Sequence, residues 1–321
     1  AAGSSTGALD LTAGNVLEAT DPSTVDIADI TITTGSGDDS IDMSNVVTAR
    51  EMAVSTGAGD DTITIGSTLV DAGTTIAGDV IDGGAGTDTL VATDAILTAQ
   101  GDVTTLSNLE VIQVSDALAG SLDVTNFQSG LATVNLAAGA AGAGTGDVIF
   151  GAGASTLNIA SSNLGTLTLA DTGAATTDSI VINNTATVAD DMADGEDLVV
   201  SGLETVSIVT TNTGATEEQN FGAITITADT GGTATLNLSG TNAVDTGAIT
   251  AQVVNASGLT AQASGVTTFE QTAALVGHET EANTITGSAG DDILVGDAND
   301  TTNIDGGAGD DLLIGGQGND I

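Results

Sequence analysis

Aspartates recur in this 321-residue chain at a fixed offset behind glycines. Gly83-Gly84-Ala85-Gly86-Thr87-Asp88-Thr89-Leu90-Val91 fits the pattern G-G-x-G-x-D-x-U-x, with U a large apolar residue. Gly306-Gly307-Ala308-Gly309-Asp310-Asp311-Leu312-Leu313-Ile314 is a second full copy. Gly315-Gly316-Gln317-Gly318-Asn319-Asp320 begins a third, and Gly287-Ser288-Ala289-Gly290-Asp291-Asp292-Ile293-Leu294-Val295 is a near copy. Thr34-Gly35-Ser36-Gly37-Asp38-Asp39 and Thr56-Gly57-Ala58-Gly59-Asp60-Asp61 lack only the first glycine. Gly296-Asp297-Ala298-Asn299-Asp300-Thr301 is a degenerate copy.

The chemistry this spacing allows is chelation. Glycine tolerates positive φ, so each turn bends tightly with its carbonyls pointing inward, and the aspartate at position six adds a carboxylate. The donors are all oxygen. Calcium takes six to eight oxygens at irregular angles, whereas magnesium demands a stricter octahedron, so calcium, in several copies, is the expected ion. Asp39, Asp61, Asp88, Asp292, Asp300, Asp311 and Asp320 occupy position six and are the first-choice ligands; Asp38, Asp60, Asp291 and Asp310 at position five come second. The glycines that shape the turns are Gly35, Gly37, Gly57, Gly59, Gly84, Gly86, Gly287, Gly290, Gly307, Gly309, Gly316 and Gly318. Seven copies with common offsets favour chelation over plain hairpin turns.

The elements that must hold these turns are strands. Thr133-Val134-Asn135-Leu136, Thr156-Leu157-Asn158-Ile159, Thr166-Leu167-Thr168-Leu169, Ala223-Ile224-Thr225-Ile226-Thr227 and Thr235-Leu236-Asn237-Leu238 alternate apolar and polar residues with period two. Several recur at intervals that suit stacked rungs or short hairpins. Helical periodicity is scarce, and the chief suspect is a short turn at Asp102–Leu109. The expected fold is all-β: an elongated β-solenoid or parallel β-roll. Three zones are expected. Residues 1–115 carry spaced Gly-Asp motifs, 116–280 form a Thr/Ala/Val-rich solenoid or sandwich, and 281–321 form a dense roll cut short at the C-terminus.

Composition sets the conditions. There are 44 acidic residues against one basic residue, Arg50, for a net charge of −43, yet 40% of residues are hydrophobic. Such a chain repels itself unless salt or bound cations intervene. Nucleic acid is excluded as a partner for want of a basic surface. With no cysteine, disulfides cannot constrain the fold. No run of about 18 apolar residues exists to span a bilayer as a helix.

Other chemical signals are weak. Gly3-Ser4-Ser5-Thr6-Gly7 matches a nucleophile elbow but follows no apolar strand. His278 is the only histidine and cannot build an ordinary zinc site without cysteine. Asp190-Asp191-Met192-Ala193-Asp194-Gly195 places Met192 where an EF-hand needs a ligand. Catalysis is therefore not expected.

The nonapeptides resemble the RTX family of Gram-negative bacteria. That resemblance implies a parallel β-roll in which repeats n and n+2 share an ion, so that Asp292 would pair with Asp311 and Asp300 with Asp320. Taken with the strands Asn108-Leu109-Glu110-Val111-Ile112-Gln113-Val114 and Gly202-Leu203-Glu204-Thr205-Val206-Ser207-Ile208, the order of motifs is similar to the calcium-dependent surface-layer proteins of such bacteria. This implies type I secretion, an extracellular place on the bacterial cell surface, and self-assembly with other copies of the chain, with cell-surface polysaccharide a further partner. A calcium-rigidified segment of a large RTX adhesin or matrix protein is the alternative. A fragment of an RTX enzyme is a weaker third.

Overall fold

A computed structural model describes residues 10–12, 30–46, 52–69, 79–100, 105–128, 130–140, 146–161, 165–185, 195–210, 218–260, 262, 266–276, 283–316 and 319–321. Gly3–Gly7, Arg50, Asp190–Asp194, His278 and Gly318 lie outside them. The chain divides into two units, one of Ala1–Asp116 with Leu122–Asn135, the other of Ala117–Ser121 with Leu136–Ile321.

In the first unit, strands Asp10–Thr12, Ser40–Met43, Thr62–Ile65, Thr89–Ala92 and Val111–Val114 form one parallel ladder. Ile30–Thr33, Met52–Ser55, Val80–Asp82 and Leu106–Ser107 form another. The two sets alternate along the chain, so each strand pairs with the next but one. That is the winding of a β-solenoid, and parallel pairing rules out hairpins between neighbouring strands.

Period-two alternation sends one side chain of each pair inward. Ile41, Ile63, Leu90 and Ile112 stack in register and are essentially sealed from solvent. β-Branched residues suit this position because the pleat leaves room for both branches.

The second unit repeats the plan. Ala154–Ile159, Ser179–Asn184, Thr205–Val209, Thr235–Gly240, Val253–Leu259, Asn283–Thr286 and Thr302–Asp305 form a parallel ladder. Gly146–Phe150, Leu167–Asp171, Leu198–Ser201, Ile224–Thr227 and Ile249–Thr250 form a second. From Gln219 a third begins, comprising Gln219–Phe221, Val244–Thr246, Phe269–Gln271, Asp292–Val295 and Leu312–Ile314. Leu157, Ile182, Ile208 and Leu238 are the buried row of the first ladder. Because Asn283–Thr286 pairs with Val253–Leu259, the Thr/Ala/Val strands and the dense Gly-Asp repeats share one ladder.

Among the described residues helix is almost absent. Asp94–Leu97 is a single α-turn, and Val124–Asn126 a 3-10 turn capped by Asp123. The helical suspect at Asp102–Leu109 is corrected: its described part carries the two-residue strand Leu106–Ser107, whose pairing with Val80–Asp82 outweighs any local helical preference. Among the described residues no helix is long and apolar enough to cross a membrane.

The stacked row makes a quantitative prediction. Ile63→Ala should cost roughly 2–5 kcal/mol, because the layers above and below cannot close the cavity. Val181→Ala, on the outward side of its strand with 37% of its surface exposed, should cost under about 0.5 kcal/mol. Denaturant unfolding at saturating calcium measures both.

Candidate metal centre

Four rungs of the first unit turn a corner immediately before a strand of the first ladder, and an acid stands at each of these corners. Asp39, Asp61, Asp88 and Glu110 directly precede Ser40–Met43, Thr62–Ile65, Thr89–Ala92 and Val111–Val114. The carboxylates of Asp61, Asp88 and Glu110 each reach back one rung to the backbone of their predecessor. The Asp39 N–H donates to Asp61 Oδ1 at 2.7 Å, the Asp61 N–H to Asp88 Oδ1 at 2.8 Å, and the Asp88 N–H to Glu110 Oε2 at 2.8 Å. The sequence separations are 22, 27 and 22 residues, so the widely spaced motifs are joined by long rungs.

A second ladder runs the other way at position five. The Asp60 N–H donates to Asp38 Oδ1 at 2.9 Å, and the Thr87 N–H to Asp60 Oδ1 at 2.8 Å. The turns themselves stack through their backbones: Ala58 N–H donates to the Gly35 carbonyl and Ala85 N–H to the Gly57 carbonyl. Glycine is required at Gly84 for two reasons. Its φ is +97°, and a Cβ there would overlap the Gly57 carbonyl of the neighbouring turn. Where position one is threonine, Thr56 Oγ1 donates to the Gly83 carbonyl at 2.6 Å, which supplies the contact between turns in another form.

The position-six carboxylates carry the chemical signal. Asp61 and Asp88 are buried, with 1% and 0% of their surface exposed. One oxygen of each accepts a backbone N–H, while Oδ2 of each is sealed from solvent with no hydrogen-bond donor. A buried anionic oxygen without a partner is costly. Burial first, and then the carboxylates of Asp61, Glu110 and Asp60, push the Asp88 carboxyl up to about 6. Among the described residues no three Asp, Glu, His or Cys side chains converge as a metal cluster. A cation held here must therefore combine one or two carboxylates with turn carbonyls and water. That oxygen set, with Asp61 and Asp88 Oδ2 as its charged members, fits calcium, which would supply the positive charge that these turns lack.

The dense repeats follow the same scheme with local changes. The Asp292 N–H donates to Asp311 Oδ1 at 3.1 Å, 19 residues on, so the two residues meet as the n, n+2 relation implies. The Asp310 N–H donates to Asp291 Oδ1 at 2.9 Å. In this copy Ser288 stands where other turns have glycine. Its N–H and hydroxyl both reach Asp292, which burial pushes above its ordinary range. Gly307 and Gly309 keep positive φ and lie against the carbonyls of Ser288 and Gly290. Gly316 N–H donates to Asp320 Oδ2 at 2.8 Å.

Asp300 is a correction to the expected pairing. Asp320 Oδ1 accepts from the Thr302 N–H, and Thr302 Oγ1 accepts from the Asp297 N–H. Thr302, two residues after Asp300, takes the corner position in this copy. Glu110, Asp178 and Glu204 were missed as corner residues. Asp178 Oδ1 accepts from the Gly153 N–H, and Glu204 Oε2 from the Asp178 N–H. Each is an acid directly ahead of a strand, a position that shows only once the rungs are aligned.

Three outcomes follow. Asp88→Asn should weaken calcium binding on the order of tenfold through loss of ligand charge, yet raise stability in EDTA by relieving repulsion; calorimetry and melting in each condition decide. Gly84→Ala should destabilise the calcium-bound fold by more than about 1 kcal/mol, since φ is positive and the overlap is with backbone. Asp88 titrates higher folded than unfolded, so the metal-free fold takes up a proton between about pH 4 and 6. It gains stability below that window and loses it as pH rises through about 6. Calcium needs the ionised form, so its affinity should fall as pH drops through about 6, a shift that calorimetry across this range would register.

The family model described as RTX calcium-binding nonapeptide repeat (4 copies) matches residues 77–94, 279–302 and 303–321. No curated protein and no solved structure gives a significant match to the chain. The matched segments contain Gly83–Asp88, Asp292, Asp311 and Asp320, the residues whose turns and carboxylates stack at the corners. The chain thus carries RTX calcium-binding nonapeptide repeats wound into a parallel β-solenoid.

Proposed function

We propose that this chain is a structural subunit of a calcium-dependent extracellular surface layer of a bacterium, assembling with copies of itself and performing no catalysis. The observation that carries this reading is the placement of the acids. In both units the carboxylates belong to the repeating frame of the solenoid rather than to a cleft. Calcium then acts on shape: within a chain it offsets the repulsion between corners, and between chains it bridges acidic faces that otherwise repel. Secretion suits such a design, because a chain of charge −43 stays extended where calcium is scarce and winds up where it is plentiful. Cell-surface polysaccharide is a candidate anchor.

A second reading has support of its own. Within a unit the parallel ladder is long, and a stack of rungs that contact only their neighbours makes a stiff spacer. This suits a segment of an RTX adhesin or matrix protein.

Electron microscopy of the purified chain separates the two. At about millimolar calcium the surface-layer reading expects ordered sheets or tubes that EDTA disperses. Isolated rods at every concentration would favour the spacer. Particles unaffected by EDTA would count against both.

A further inference from the structure

The turn joining strands Leu167–Asp171 and Ser179–Asn184 lies far from the segments matched by the repeat model. Its sequence, Asp171-Thr172-Gly173-Ala174-Ala175-Thr176-Thr177-Asp178, is not a nonapeptide. One feature of nonapeptide geometry is nevertheless present. In the repeats, the position-one glycine leaves the space into which the position-six carboxylate leans: a Cβ on Gly83 would stand 2.7 Å from Asp88 Oδ2, and one on Gly287 would stand 2.6 Å from Asp292 Oδ2. Gly173 and Asp178 have the same five-residue offset. A Cβ on Gly173 would stand 3.2 Å from Asp178 Oδ2 and 2.8 Å from Asp171 Oδ2. Two carboxylate oxygens and the Ala152 methyl, 2.8 Å from that Cβ, therefore border one small space that only a glycine leaves open.

Both carboxylates are fixed from behind. Asp171 Oδ1 accepts from the Gly173 N–H at 2.9 Å, and Asp178 Oδ1 from the Gly153 N–H at 2.8 Å. Asp178 has 2% of its surface exposed. The forward oxygens, Asp171 Oδ2 and Asp178 Oδ2, are sealed from solvent with no donor. The neighbouring acid, Glu204, differs: its two oxygens accept from the Asp178 and Asp229 N–H groups. A chain whose one Lys or Arg is Arg50 offers almost no side-chain cation to neutralise such a pair.

We infer that Asp171 and Asp178 form a divalent-cation site outside the nonapeptides, taking calcium through their Oδ2 atoms with water and turn carbonyls completing the shell. A site with only two carboxylates suits the weak range of extracellular modules, about 10⁻⁴–10⁻³ M. The competing way to relieve the pair is a proton shared between the carboxyls; burial, and then Asp178, do raise Asp171 above its ordinary range. The inference stands apart from the surface-layer reading, because ions are counted on dispersed chains whether or not they assemble.

Equilibrium dialysis with radioactive calcium at about pH 7.5, where unperturbed carboxylates are ionised, tests it on the full chain. Asp171→Asn and Gly173→Ala should each bind one ion fewer than the parent, with unchanged circular dichroism in calcium. The alanine variant keeps both carboxylates and puts a methyl group in the space between them. An undiminished count in either variant means the pair holds a proton and overturns the site. On the unsubstituted chain, terbium(III)-soaked crystals should give an anomalous peak bonded to both Oδ2 atoms. Peaks at the nonapeptide turns with none here would overturn it equally.

Discussion

Parallel rungs repeat every 4.7–4.9 Å, and an acid placed at the same corner of each rung meets its like at about that distance. Two unit charges about 5 Å apart at an effective dielectric of about 20 repel by roughly 3 kcal/mol. The backbone ladder fixes the spacing and the sequence fixes the sign of the charge, so the repulsion cannot be relaxed by moving either. The rest of the structure is arranged around this conflict. Backbone N–H groups take one oxygen of the Asp61 and Asp88 carboxylates and leave the other buried without a donor, where a cation would meet it. Among the described residues the acids at the corners have no lysine or arginine to meet, which makes a mobile divalent ion the natural counter-charge.

The apolar interior explains why the conflict is tolerated. Rows such as Ile41, Ile63, Leu90 and Ile112 hold register by burial alone, and a period-two strand cannot slip by one residue without turning that row outward. Register, once set, brings each turn over the next. Rung length can then vary, from 27 residues between Asp61 and Asp88 to 19 between Asp292 and Asp311, without losing the corner. This tolerance lets tight repeats and Thr/Ala/Val strands share one ladder in the second unit.

Much of this was legible in the sequence. Period-two segments gave the strands, and the Gly-Asp offset gave the turns at Asp39, Asp61, Asp88, Asp292 and Asp311. What escaped was whatever departs from the nonapeptide spelling while keeping its place in space. Glu110 and Glu204 follow a leucine instead of a glycine turn, and Asp178 follows a turn with alanine and threonine where the repeats have glycine. Their common property is position, one residue ahead of a strand, which is visible only once rungs are aligned. Asp300 differs in the opposite sense: it has the right neighbours in sequence, but Thr302, two residues on, stands at the corner. The short helix expected near Leu106 failed because a parallel partner on the previous rung outweighs local preference.

Amide hydrogen exchange reads the corner ladder bond by bond. The Asp39 and Asp61 N–H groups donate across rungs to the Asp61 and Asp88 carboxylates, which the proposed ion would hold in place. With calcium present they should be among the slowest exchangers in the first unit, and on chelation they should speed up together with the Ala58 and Ala85 amides of the stacked turns. If these amides exchanged at one rate with and without calcium, the ladder would stand on its backbone alone, and the account of an ion-held solenoid would be contradicted.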